Sequence, residues 1–195
     1  AYNQGGGGYG MNAQISGAGN TTLVDINTSN ANITPDLVVG SLAGAGNLAL
    51  TTGNLITGID NSSTNFSGVI SGIGGLTKFG PGTQTLLGTN TYTGATQISG
   101  GTLQLGDGGI TGSLAASSAI YNYGNFTINR SDALTVSNAI SGTGSLTKTG
   151  SGTLTLTGTN TYSGTTEIAS GNLQIGDGGT TGTLGRSEEP TPALH

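Results

Sequence analysis

The segment from Ile140 to Leu184 repeats the segment from Ile70 to Leu114, with 30 of 45 positions identical and no gap. A repeat this strict, built of short Thr/Leu alternations, restricts the fold more tightly than composition does. Each unit makes a slice that cannot cover its own apolar face, so slices must stack on one another. One continuous stack suits 195 residues better than two separate cores.

Within a unit, Leu154 and Leu156 sit among Thr153, Thr155 and Thr157, and Leu173 and Ile175 flank Gln174. Alternate side chains of a strand point to opposite faces, so Leu and Ile point in while Thr and Gln point out. The pairs Leu103 and Leu105, Phe126 and Ile128, and Leu134 and Val136 repeat the device. No window long enough to show a helical apolar period does so, which makes the chain all β. Leu134, Leu154 and Leu173 recur at almost even intervals. Their spacing sets one coil at about 20 residues, and predicts a β-solenoid of roughly nine to ten coils and on the order of 45 Å in length.

Composition agrees with dense turning. Glycine contributes 39 of 195 residues, yet the net charge is only -5 and β-branched residues recur throughout, which does not suit a disordered chain. Residues 1–14, AYNQGGGGYGMNAQ, read as a glycine-rich arm, residues 15–185 as a single solenoid domain, and residues 186–195 as a polar tail or tag. Four Lys plus Arg against nine Asp plus Glu leave no basic patch, so nucleic acid is excluded as a partner. No apolar run reaches the ~18 residues of a membrane-spanning helix, and the first residues given do not read as a charged-then-apolar signal segment. The absence of cysteine removes disulfides and thiolate metal sites, and suits an exported bacterial chain.

Stacked parallel coils lay like positions over one another. Asn90 and Asn160, in the two GTNTY turns, are therefore candidates for polar ladders or surface contact. Tyr92 and Tyr162 of the same turns are candidates for stacking on neighbouring turns or for contact with a partner. Gln84 stands where the later unit has Leu154. If that side faces inward, its amide needs a partner or costs ~1–3 kcal/mol, so it is expected near a turn or bonded to backbone.

The stretch GSLTKTGSGTLTLTGTNTYSGTTEIASGNLQIGDGG (144–179) resembles the autotransporter passenger-associated β-strand repeat of exported bacterial proteins, and GGLTKFGPGTQTLLGTNTYTGATQISGGTLQLGDGG (74–109) resembles it more weakly. The resemblance implies a right-handed parallel β-helix, type V secretion, an extracellular or outer-surface location, and adhesive or cell-aggregating roles. The sequence lacks the alternating ~10-residue strands of a membrane β-barrel, so membrane association would run only through an absent translocator.

Reactive chemistry is sparse. The one histidine is His195, which leaves no material for a Ser-His-Asp triad or a histidine metal site, and no phosphate-binding or nucleophile-elbow motif occurs. Asp107 and Asp177 occupy equivalent GDGG turns, where an aspartate bonding its own backbone is expected rather than calcium or a glycosidase pair. No catalytic, metal-binding or cofactor-binding residue is assigned, and no cofactor is expected. The leading expectation is a structural protein, a stalk, matrix or fibre subunit that associates end to end through its termini. The alternative is an adhesin module contacting glycans or other cells. An enzyme would need clustered carboxylates in a groove.

Overall fold

Strands of two to four residues bury one apolar edge each, and two or three such strands per coil close that edge into a common interior. The computed structural model describes residues 23–26, 31–33, 36–179 and 181–185, and builds them as a three-walled parallel β-solenoid. The first wall stacks eight strands, namely Leu23–Ile26, Ser41–Gly44, Thr64–Phe66, Thr83–Leu86, Thr102–Leu105, Asn125–Ile128, Ser145–Lys148 and Thr166–Ile168. The third wall stacks six, namely Leu37–Val38, Leu55–Thr57, Leu76–Lys78, Thr96–Ile98, Ile120–Asn122 and Ile140–Ser141. Between them along the chain lies a second wall in two sections. Ala31–Ile33, Leu48–Leu50 and Ile70–Gly72 form one, and Leu134–Val136, Thr153–Leu156 and Asn172–Ile175 form the other.

Every strand pair is parallel. The two sections of the second wall are joined by irregular turns that still exchange backbone bonds, such as Thr91 N–H to Ile70 O, Ser113 N–H to Gly88 O and Ser131 N–H to Gly109 O. In register, Leu134 lies beside Leu154 and Leu154 beside Leu173, as their even spacing requires.

The coil count is smaller than expected. Along the first wall the column from Ile26 to Ile168 passes through eight stacked strands, so the described residues make about seven turns rather than nine to ten. Seven turns span about 34 Å at ~4.8 Å each. The larger figure spread all 195 residues over coils of about 20, whereas the seven turns account for the span from Ile26 to Ile168 at that same coil length. The N-terminal arm and the C-terminal tail lie outside the described residues.

The core is one column of Leu, Ile, Val, Phe and Tyr side chains running through the turns. Glycine is required where the chain turns against the level below. Gly72 (φ 102°) and its repeat counterpart Gly142 (φ 107°) lie in the left-handed region, and a Cβ at either would sit 2.2 Å from the carbonyl oxygen of Leu50 or Asn122. Any side chain there would force the levels apart.

Candidate functional site

The four residues singled out in the GTNTY turns all lie in the interior. Asn90 accepts a bond from Ile70 N–H one turn back (2.9 Å), and donates through Nδ2 to Gly88 O in its own turn (3.1 Å) and Ser113 O one turn on (3.0 Å). Asn160 does the same with Ile140 N–H (3.1 Å), Gly158 O (3.1 Å) and Thr183 O (2.6 Å). Each amide clamps three levels. No ladder joins the two asparagines, because Asn90 follows a first-wall strand and Asn160 a second-wall strand, several turns apart. Tyr92 and Tyr162 are both fully buried, and their hydroxyls lie 2.6 Å from the Oγ1 of Thr96 and Thr166. Burial pushes both phenol pKa values up. None of the four is surface available to a partner.

Gln84 points into the core and is satisfied by backbone, with Nε2 donating to Leu42 O (3.1 Å) and Thr64 O (3.2 Å). Its expected backbone bonding holds.

Two interior cations escape a reading that sends polar residues outward. In the LTK strands, Lys78 and Lys148 have the same parity as Leu76 and Leu146, and therefore point in. Lys78 Nζ donates to the carbonyls of Phe79, Gly80 (2.9 Å) and, weakly, Gly100 (3.5 Å), and Lys148 Nζ donates to those of Gly150 and Ser170. Each ammonium gathers carbonyls from its own turn and the next. Burial lowers both lysine pKa values, and the charge of Asp60 partly offsets that effect at Lys78. Alternation was the available signal: a Lys two positions after an inward Leu is itself inward.

Arg130 is nearly buried and spans the join between the units, with Nη1 on Gly112 O (2.8 Å) and Nε and Nη2 on the two oxygens of Asp132 (2.8 and 2.7 Å). The guanidinium bonds hold the Asp132 carboxyl below the usual carboxylate range. No buried side-chain nitrogen or oxygen among the described residues lacks a partner. The interior polar groups are thus consumed in holding levels together.

Asp107 and Asp177 each accept from the N–H two positions on (Gly109 and Gly179, 3.3 Å), the Asx turn expected of them. Among the described residues no three His, Cys, Asp or Glu converge as a metal site requires. The outward surface holds the features that remain. Phe79, Tyr121 and Tyr123 are exposed, and so are Ile168, Ile175 and Leu184 at the C-terminal end.

The passenger-associated-transport-repeat family matches residues 76–105 and 146–175, the strands and turns just described. The chain thus carries two segments that match this passenger repeat. Over 93 residues it is 43% identical to a protein named adhesin BmaC autotransporter from Brucella suis biovar 1 (strain 1330), a match that covers 43% of this chain and 3% of that relative. No solved structure matches the chain. Both matched segments lie on the solenoid, and the chain spans only a small part of that relative's length.

Proposed function

We propose that this passenger segment is a stalk: a stiff spacer whose turns add end to end. The observation that carries the reading is the C-terminal end of the solenoid. In the first repeat, Ile98 and Leu105 are 0% and 1% exposed beneath the next turn, whereas their counterparts Ile168 and Ile175 are 51% and 41% exposed. Strands Thr166–Ile168 and Asn172–Ile175 pair on one side only among the described residues. An open parallel edge above an apolar floor is a template for another turn of the same kind. End-to-end stacking of copies would lengthen the body by whole turns while leaving its sides unchanged.

Electron microscopy and sedimentation of the purified chain test this. End-to-end oligomers that grow with concentration, and that vanish in Ile168→Lys/Ile175→Lys, are expected. Dispersed monomers at every concentration would overturn the stacking. The reading contains no catalytic step, and turnover of any member of a polysaccharide panel would revise that. A second reading, an adhesive surface, is favoured by one observation, the grouping of the exposed aromatic rings on a single wall.

A further inference from the structure

Seven aromatic side chains fall among residues whose exposure the structure defines. Four of them, Phe66, Tyr92, Phe126 and Tyr162, are fully buried. The other three, Phe79, Tyr121 and Tyr123, are 43%, 42% and 53% exposed; Tyr121 lies in a third-wall strand, and Phe79 and Tyr123 directly follow the third-wall strands Leu76–Lys78 and Ile120–Asn122. Their grouping follows from register. Thr77 lies beside Gln97 and Gln97 beside Tyr121, while the backbone bonds Ser99 N–H to Lys78 O and Tyr123 N–H to Ile98 O continue the neighbouring column through Phe79, Ser99 and Tyr123. Tyr123 lies just past the strand that carries Tyr121, about 7 Å from it, and Phe79 lies about 10 Å from Tyr123, two rungs down the axis. The rung between carries Gln97 and Ser99, joined by a 2.8 Å bond from Nε2 to Oγ.

We infer that this outer face of the third wall binds a neutral glycan chain, an inference that rests on the adhesive reading. Aromatic rings present flat apolar faces, and amide and hydroxyl groups beside them supply hydrogen bonds, which together match the two kinds of surface on a pyranose ring. The six positions carry no charge. An acidic sugar would find no cation to pair with its carboxylate, and an amino sugar in its ammonium form no anion. The rings stand on the first and third of three successive rungs of a stiff wall, with Gln97 and Ser99 between them, so a chain of several sugars lies along them without ordering a loop. This surface lies on the side of the stalk, and its role does not depend on end-to-end stacking.

The test is saturation-transfer NMR and titration of the full chain with neutral hexasaccharides (cellohexaose, xylohexaose, mannohexaose, chitohexaose), with hexagalacturonate as the acidic comparison. At least one neutral probe binds, with transfer from tyrosine ring protons. Tyr121→Ala/Tyr123→Ala weakens that binding at least tenfold, Tyr121→Phe/Tyr123→Phe keeps it, and Ile110→Ala, an exposed change elsewhere, leaves it unaltered. Because the rings are exposed, the variants keep the wild-type urea midpoint. If the double variant fails that check, Tyr123→Ala alone carries the test. Binding of none of the neutral probes, binding indifferent to the tyrosines, or binding of hexagalacturonate alone would overturn the inference. So would concentration-dependent association of the chain that the tyrosine variants abolish, since the wall would then be a contact between copies.

Discussion

The two passenger repeats are nearly the same sequence in two different places. In the first, Leu76–Lys78, Thr83–Leu86, Thr96–Ile98 and Thr102–Leu105 lie on the third, first, third and first walls. In the second, Ser145–Lys148, Thr153–Leu156, Thr166–Ile168 and Asn172–Ile175 lie on the first, second, first and second. Every strand has moved on by one wall. The third-wall path from Leu76 runs through Thr96 and Ile120 to Ile140, and so closes three turns. The repeat counterpart of Leu76 is not Ile140 but Leu146, so the stretch from Ser141 to Ser145 carries the chain around the next corner before the unit starts again. A unit that tolerates such rotation is specified by its own inward-outward pattern and turns, not by a particular wall.

Position along the axis separates the units more sharply than rotation does. The first is covered above and below, and the second ends in strands covered on one side among the described residues. The largest predicted contrast follows from that. Ile98→Ala should cost about 2–5 kcal/mol, as expected for a fully packed aliphatic side chain, and Ile168→Ala under about 1 kcal/mol in urea unfolding of monomeric protein. Equal losses would show that the end is covered in solution.

The interior lysines sharpen the same contrast at lower magnitude. Lys78→Met leaves the carbonyls of Phe79 and Gly80 without their donor, and should cost about 1–3 kcal/mol. The same change at Lys148 should cost less, because its second acceptor, Ser170 O, belongs to the last turn, which is covered on one side among the described residues. A gain in stability at Lys78 would mean that removing the buried charge outweighs the lost bonds.

Alkali probes the tyrosines of both turns. A phenol whose pKa is raised by folding keeps its proton in the folded state while the unfolded chain loses it, so the stability this group provides is present below about pH 10, the ordinary phenol value, and falls above it. For Tyr92 the slope is about 1.4 kcal/mol per pH unit. The lysines act in the opposite direction: with pKa values lowered by folding, they add stability as pH rises toward their ordinary value of ~10.4 and nothing beyond it. Chemical denaturation across the alkaline range should show a decline above about pH 10 that Tyr92→Phe reduces.

The smallest effect belongs to the join between the units. Asp132 has its carboxyl pKa lowered by Arg130, so its contribution is present above the ordinary carboxylate value and is lost as pH falls through that lowered value. Asp132→Asn should flatten the acid limb slightly and leave the neutral-pH midpoint almost where it was, because the carboxylate is exposed and screened.

Much of the fold can be read from the chain. Parity in TLTL and NLQI places Leu154, Leu156 and Leu173 on one side, and the even spacing of Leu134, Leu154 and Leu173 puts them in register. The same parity would have turned Lys78 and Lys148 inward, against the habit of placing charge outside. The Asn and Tyr of the GTNTY turns were less legible, because polarity does not distinguish an amide that faces water from one that clamps three levels of backbone.

By itself the sequence determined the slice: a strand-and-turn unit with one apolar edge, glycines where levels touch, and a demand to be stacked. Only the tertiary structure decided which wall each copy occupies, which aromatic rings come together, and which apolar residues lack a covering turn among the described residues. The physical reason is that strand parity is a local property of neighbouring residues, whereas wall assignment sums the lengths of every turn between the copies, and the longer turn between Thr96 and Ile120 enters that sum without any signature of its own.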